Sequence, residues 1–136
     1  MIVLVDTTVW IDFFAGRNLP HVAALECVIE EGEDLALCGI VLCEILQGIR
    51  KDSEFCKTKT FLEDLLYLPM ERPSFIRSAE LYRTLRKRGI TIRKPLDCMI
   101  ASVCMEHDAT LLHNDRDFDS IAKHSQLSIF DFSQRA

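Results

Sequence analysis

The sequence predicts an α/β fold in which a parallel sheet is covered on both faces by helices. Two observations support this prediction: the chain contains several apolar runs of strand length, and stretches with helical spacing of apolar residues separate them. Repeats, low-complexity tracts and Gly/Ser-rich linkers are absent from the 136 residues, so we expect a single domain spanning residues 1–136.

The first half of the chain opens with a predicted strand at Ile2–Val5, an apolar run that ends at Asp6. A short helix is expected to begin at Asp6 or Thr7 and to contain Trp10. The later elements expected in this half are a helix around 21–31, a strand at 35–38 broken by Gly39, helices at 40–50 and about 53–66, and a short extended segment ending at Pro69.

The second half begins with a predicted helix at 74–88 that stops at Gly89, a residue typical of helix C-termini. Pro95 suits the first turn of the next helix, in which apolar residues recur with helical spacing from 96 to 104. A strand at 110–113, a helix at 115–123 and a last strand at 127–130 complete the expected fold. The apolar stripe expected on the first of these helices consists of Ile76, Ala79, Tyr82 and Leu85, widened by Phe75 and Leu81.

Composition is that of an ordinary soluble globular protein, with 49% apolar and 27% charged residues. The apolar runs are far shorter than the roughly 20 residues that span a bilayer. The first apolar run has no basic region before it, so we expect no secretory signal and a cytoplasmic location. The six cysteines form no C-x-x-C pair and the four histidines are dispersed, so reduced thiols in the core are expected rather than a zinc site.

The formal net charge of −5 argues mildly against a nucleic-acid partner, but the distribution of charge argues for one. Without one cluster of six basic residues, the chain would contain 10 basic and 21 acidic residues. This cluster could bind phosphates, or it could be a solvated helix end whose cations suit the helix dipole. The cluster, called the basic stripe below, consists of Arg83, Arg86, Lys87, Arg88, Arg93 and Lys94.

Four acidic residues lie where an α/β chain can bring them together. Asp6 and Asp115 each follow a predicted strand, Asp97 begins a predicted helix, and Glu44 interrupts an apolar stretch. Ligands of open parallel sheets bind beyond the carboxyl ends of the strands, so these carboxylates can converge there. Two carboxylates repel each other by roughly 4 kcal/mol at about 4 Å and an effective dielectric of about 20. A hard divalent cation with oxygen ligands is the usual means of holding such groups together.

Each acid also has a structural interpretation. Asp6 and Asp115 could be helix N-caps, and Asp97 could interact favourably with a helix N-terminus. Glu44 is harder to explain in this way, because a carboxylate in an apolar stretch is costly unless it is paired or coordinated. A salt bridge to a distant basic residue remains an alternative for Glu44.

Four stretches of the chain resemble, in order, the four acidic motifs of PIN-domain nucleases. The compact length and the Asp-Thr-Thr-Val-Trp-Ile-Asp opening are most similar to VapC-type toxins of VapBC toxin–antitoxin pairs. The stretches are Val5-Asp6-Thr7-Thr8-Val9-Trp10-Ile11-Asp12, Val41-Leu42-Cys43-Glu44-Ile45-Leu46-Gln47-Gly48, Leu96-Asp97-Cys98-Met99-Ile100-Ala101 and Leu112-His113-Asn114-Asp115-Arg116-Asp117-Phe118.

This resemblance implies a three-layer α/β/α sandwich, Mg²⁺- or Mn²⁺-dependent endoribonuclease activity, a homodimer, and a small antitoxin that occupies the active-site groove. It implies that Asp6, Glu44, Asp97 and Asp115 are catalytic metal-binding residues and that Asp117 is an accessory ligand. Asp6 and Asp97 are the expected direct ligands. The chain departs from the family at His113, where Thr or Ser is common. The residues expected to contact RNA are Arg86, Lys87, Arg88, Arg93, Lys94 and Arg116.

Two other classes of function were weighed against a nuclease. Aspartyl-phosphate phosphatases have a second Asp two residues after the first, where this chain has Thr8, and receiver domains have paired acids at the first strand, where it has only Asp6. Both classes therefore fit poorly. A catalytically silent relative that only binds a partner protein remains the alternative.

Overall fold

The computed structural model describes residues 1–132, in which five strands and seven helices alternate along the chain. Residues 133–136 of the predicted domain lie outside the described residues. The elements are, in order, β1 (Ile2–Val5), α1 (Thr7–Phe14), α2 (Pro20–Glu30), β2 (Asp34–Cys38), α3 (Gly39–Gln47), α4 (Asp52–Glu63), β3 (Leu66–Leu68), α5 (Arg72–Lys87), α6 (Pro95–Glu106), β4 (Thr110–Leu112), α7 (Arg116–Lys123) and β5 (Ser128–Ile129).

All five strands belong to one parallel sheet with the order β3-β2-β1-β4-β5. The central strand β1 pairs with β2 on one side and with β4 on the other, and its residues Val3, Leu4 and Val5 are fully buried. Strands buried on both faces are typical of a parallel sheet between two helix layers. The predicted α/β/α fold is therefore confirmed, and the ends of β1, β2 and β4 lie at the same edge of the sheet.

Several predicted boundaries were wrong by a few residues. Gly39 does not merely break β2, because α3 begins at that residue without an intervening loop, and α3 ends at Gln47 rather than at residue 50. The predicted helix at 53–66 ends at Glu63, because Leu66 pairs with Ala36 of β2 as part of a strand. The predicted strands at 110–113 and 127–130 are shorter, with β4 ending at Leu112 and β5 spanning Ser128–Ile129.

The buried face of α5 differs from the predicted apolar stripe. Ile76 is 52% exposed, whereas Ser74, Ser78 and Leu85 are buried. Residues spaced three apart do not stay on one face of a helix with 3.6 residues per turn, whereas residues whose spacing alternates between three and four do. Ser74 can be buried because its hydroxyl donates a hydrogen bond to Glu106 Oε2 at 2.7 Å. Glu106 lies 32 residues away in the sequence.

All six cysteines, which lie within the described residues, are free thiols as expected. The expectation that they belong to the core was only partly right. Cys38, Cys98 and Cys104 are buried, but Cys43 and Cys56 are exposed on α3 and α4. Within residues 1–132, the helices are too short or too polar to cross a bilayer.

Candidate active site

Three of the predicted acids lie at the ends of strands or the starts of helices on one edge of the sheet. Asp6 follows β1 at the N-cap position of α1, and Asp115 follows β4 at the N-cap position of α7. Asp97 lies in the first turn of α6. The backbone N–H of Asp6 donates to the carbonyl oxygen of Leu112 at 2.9 Å, which joins the ends of β1 and β4. This sheet edge therefore brings together residues far apart in sequence.

Asp97, Asp115 and Asp117 form the tightest acidic group of the described residues. Each offers one carboxylate oxygen, and these oxygens lie within 4.8 Å of one another. Asp97 is only 4% exposed, and its Oδ2 is buried without a hydrogen-bond partner among the described residues. A buried carboxylate oxygen without a partner is costly, and coordination of a cation would satisfy it. The group is therefore suited to a hard divalent cation.

Asp6 and Glu44 lie outside this three-residue group and are held by threonine hydroxyls. Asp6 is 6% exposed, and its Oδ2 accepts a hydrogen bond from Thr8 at 3.2 Å. Glu44 is half-buried on α3, and its Oε1 accepts a hydrogen bond from Thr7 at 2.8 Å. The roles of Asp6 as a direct ligand and of Asp117 as an accessory ligand thus stay predictions, although Asp117 belongs to the three-residue group.

The charges of the acids are coupled to one another. Burial raises the pKa of Asp97 to about 7, Lys94 opposes this, and Asp6, Asp115 and Asp117 raise it further. Burial likewise raises the pKa of Asp6 to about 6; the Thr7 backbone N–H and the Thr8 hydroxyl oppose this rise, and Glu44 adds to it. Glu44 thus destabilises the charged form of Asp6, and Asp6 destabilises the charged form of Asp97.

Two residues of the basic stripe partly neutralise the acids. Arg93 Nε lies 3.0 Å from Asp117 Oδ2, and Arg93 Nη2 lies 3.0 Å from Asp115 Oδ1. Lys94 Nζ lies 3.9 Å from Asp115 Oδ2. Side-chain cations therefore supply part of the positive charge for which a divalent cation was named as the usual source. Asp97 differs from Asp115 and Asp117 in having no such ion pair among the described residues.

The other residues predicted to contact RNA form no ion pair with the acidic group among the described residues. Arg86, Lys87 and Arg88 are exposed at the C-terminal end of α5, and Arg116 is exposed at the start of α7. Exposure leaves them accessible to a phosphate backbone, and their contact with RNA stays a prediction.

His113 occupies the connection between β4 and α7 and is buried, with 7% of its surface exposed. Its Nδ1 accepts a hydrogen bond from the backbone N–H of Asp115 at 3.0 Å, and its Nε2 lies 3.2 Å from Asp119 Oδ1. Burial lowers the pKa of His113, although the neighbouring carboxylates of Asp119 and Asp115 act in the opposite direction. Its ring also packs against Phe118, with 5.2 Å between the ring centroids.

Three of these contacts were not predicted from the sequence: the ion pairs of Arg93, the hydrogen bond from Thr7 to Glu44, and the pairing of His113 with Asp119. The first two join segments 22 and 37 residues apart, so no local pattern could reveal them. The third had only a weak signal, because Asp119 lies six residues beyond His113, a position at which the chain departs from the family.

Comparison with known proteins relates nearly the whole chain to one family. A family model of the PIN domain matches residues 3–124. Ribonuclease VapC11 of Mycobacterium tuberculosis is 32% identical over 132 residues, covering 96% of this chain and 98% of the relative. VapC ribonuclease Mb1587 of Mycobacterium bovis matches with the same identity and coverage.

Two solved structures have a similar fold. One is a chain of VapBC2 from Rickettsia felis, in a crystal structure bound to a DNA fragment from the promoter. It aligns with a TM-score of 0.76 and 24% identity, over 96% of this chain and 98% of that chain. VapBC-1 from nontypeable Haemophilus influenzae aligns with a TM-score of 0.74 at 20% identity, over 98% of this chain and 99% of that chain. Both matches extend over nearly the full length of the described fold.

Proposed function

This chain belongs to the PIN-domain family, and we propose that it is a divalent-metal-dependent endoribonuclease, the toxin of a toxin–antitoxin pair. The observation that best supports the proposal is the group formed by Asp97, Asp115 and Asp117, in which one buried carboxylate oxygen has no hydrogen-bond partner among the described residues. Relatives named as VapC ribonucleases, similar over almost the whole chain, support RNA as the substrate.

Mg²⁺ or Mn²⁺ is the proposed ion, because the candidate ligands are all carboxylates and such hard cations prefer oxygen. Asp97, Asp115 and Asp117 would hold it, with Asp6 beside them and Glu44 at the outer end of the row. When bound, a divalent ion lowers the pKa of water and stabilises negative charge on phosphoryl oxygens. Both effects favour hydrolysis of an RNA phosphodiester.

The protein's own side chains would orient the reacting groups. Thr8 and Thr7 hold the carboxylates of Asp6 and Glu44 in fixed directions, so these acids can orient a water molecule without first reorganising. Arg93 and Lys94 are mostly exposed, and each places a cation beside the acids. We infer that these cations contact RNA phosphates near the cleaved bond and that the rest of the basic stripe extends this contact along the RNA.

A cognate VapB-like antitoxin and a second copy of the chain are the proposed protein partners. An apolar groove of about 510 Å³ lies between α1, α3 and α4 and is lined by Ile11, Phe14, Ile45 and Ile49. Ile45 directly follows Glu44 in the sequence, and we propose that the groove receives an antitoxin segment. Such a segment would reach the proposed active site from the groove. We propose that exposed apolar side chains of α5, such as Phe75, are buried against a second copy of the chain.

We also propose the number of domains and the cellular location. Residues 1–136 would form a single domain, which is supported by one sheet whose strands extend from Ile2 to Ile129. The protein would act in the cytoplasm, with RNA as its proposed substrate.

RNA cleavage by point variants tests the proposed function. Asp97→Asn and Asp6→Asn should each reduce cleavage to the level seen without enzyme, because neutral amides are poor ligands for Mg²⁺. EDTA should abolish wild-type cleavage, and added Mg²⁺ or Mn²⁺ should restore it. Asp34→Asn is a matched control, since this exposed acid lies at the start of β2, at the opposite edge of the sheet.

Retained cleavage by Asp97→Asn would refute the assignment of the acidic group. A wild-type protein that binds an antitoxin but cleaves no RNA with either ion would instead support the catalytically silent alternative. Cleavage that is insensitive to EDTA would contradict metal dependence and leave the ribonuclease assignment standing.

A further inference from the structure

We propose that His113 is a positioning residue that orients Asp115 and Asp117 toward Asp97. The inference rests on the proposed function, because it assigns the residue that organises the loop supplying two of the three candidate metal ligands. His113 itself is not expected to contact the metal or the RNA.

Two consecutive hydrogen bonds of the same kind organise this loop. His113 Nδ1 accepts from the N–H of Asp115 at 3.0 Å, and Asp115 Oδ1 accepts from the N–H of Asp117 at 2.9 Å. In each bond, an acceptor attached to the γ carbon binds the backbone N–H two residues later, which is the geometry of an Asx turn. The first bond therefore sets the backbone from which Asp115 projects, and the second sets the start of α7.

Both nitrogen atoms of the imidazole have an assigned partner. Because Nδ1 accepts a hydrogen bond, the proton of the neutral ring lies on Nε2, which is 3.2 Å from Asp119 Oδ1. Asp119 and the ring contact with Phe118 both come from the first turn of α7. His113 thus ties the end of β4 to the helix whose N-terminus bears Asp115 and Asp117.

Loss of the Nδ1 acceptor would affect two ligands together. Asp115 would have an unpaired backbone N–H, and its carboxylate would lose its fixed direction relative to Arg93, which bonds both Asp115 and Asp117. Residues that orient metal ligands typically alter metal affinity by about 10–100-fold when they are changed. The effect should therefore appear in metal binding before any chemical step.

A pair of variants separates the two sides of the ring. His113→Asn places an amide oxygen where Nδ1 lies and removes the Nε2 donor. His113→Gln places an amide nitrogen near Nε2 and removes the Nδ1 acceptor. Both lose the ring that packs on Phe118, so a role confined to packing would affect the two variants alike.

Mn²⁺ titration calorimetry of the wild type and both variants tests the inference, with RNA absent. His113→Gln should bind Mn²⁺ about 10–100-fold more weakly than the wild type, and His113→Asn should stay within about threefold of it. Equal weakening in the two variants, or weakening in neither, would overturn the positioning role. Melting temperatures measured alongside should fall similarly in both, since they share the loss of ring packing.

Amide hydrogen exchange without metal distinguishes failure of this inference from failure of the proposed function. The Asp115 amide should exchange slowly in the wild type and in His113→Asn, and faster in His113→Gln. If this pattern appears but the wild type binds no Mn²⁺, His113 positions the loop and the metal-dependent function is wrong. If the Asp115 amide exchanges equally in all three proteins, the positioning role is refuted whatever the metal affinity.

Discussion

Asp97→Asn should raise the melting temperature of the metal-free protein at pH 8 but not at pH 5. Asp97 is buried, and its pKa rises to about 7 chiefly because of that burial, with Asp6, Asp115 and Asp117 increasing it further. The folded protein holds this proton more tightly than the unfolded chain does. The resulting stability is present below the unfolded pKa and is lost as the pH rises through the folded value of about 7.

The expected gain can be worked out from this pKa. The difference between about 7 and the ordinary value of 3.8 corresponds to roughly 4 kcal/mol at pH 8, at about 1.4 kcal/mol per pH unit. The buried amide of Asn lacks partners and costs about 1–3 kcal/mol. The net stabilisation at pH 8 is therefore on the order of 1–3 kcal/mol, or about 3–10 °C in melting temperature. At pH 5 the folded carboxyl group is protonated but the unfolded one is ionised, so the gain from removing the acid falls to about 1–2 kcal/mol. The cost of the amide, about 1–3 kcal/mol, offsets that gain.

Calorimetric unfolding in EDTA at both pH values tests this prediction, with Asp34→Asn as the exposed control. Mg²⁺ should then reverse the order at pH 8. At about a hundred times its dissociation constant it would stabilise the wild type by about 2.7 kcal/mol, and Asp97→Asn much less. A variant destabilised by the same amount at pH 5 and pH 8 in EDTA would refute the reasoning, because Asp97 would then be an ordinary helix-start residue.

Two further predictions concern RNA binding and the hydrogen bond from Thr7 to Glu44. Changing Arg86, Lys87 and Arg88 to Ala should weaken RNA binding across sequences and reduce the log–log salt slope by roughly 0.7 for each lost phosphate contact; an unchanged slope in filter binding would mean that these residues form only a solvated helix end. Thr7→Val should lower the cleavage rate at saturating Mg²⁺ by about 10-fold or more, because Glu44 loses the hydroxyl that holds it, whereas Thr7→Ser should retain most of the rate. Equal losses in the two Thr7 variants would instead indicate that the methyl group matters through packing.

The sequence alone was sufficient for the features that depend on short segments. The buried run Ile2–Val5 and the acid that follows it predicted the first strand and the start of α1. Gly89, which has a φ of +78°, and Pro95 marked the end of α5 and the start of α6. These signals are local because propensity, capping and turn geometry involve residues within a few positions of one another. Parallel pairing then put the acids at one edge of the sheet.

Only the tertiary structure decided which side chains meet at that edge. The strand order places β1 between β2 and β4, so Asp6 lies between the half-buried Glu44 and the group that contains Asp115. The ion pairs of Arg93 and the burial of Ser74 on α5 depend on partners 22 to 32 residues away. The spacing of apolar residues predicts whether a segment is a helix or a strand, but it does not show which other element packs against that segment. The composition of the candidate site therefore depended on packing, while its location at the end of the strands was already predictable.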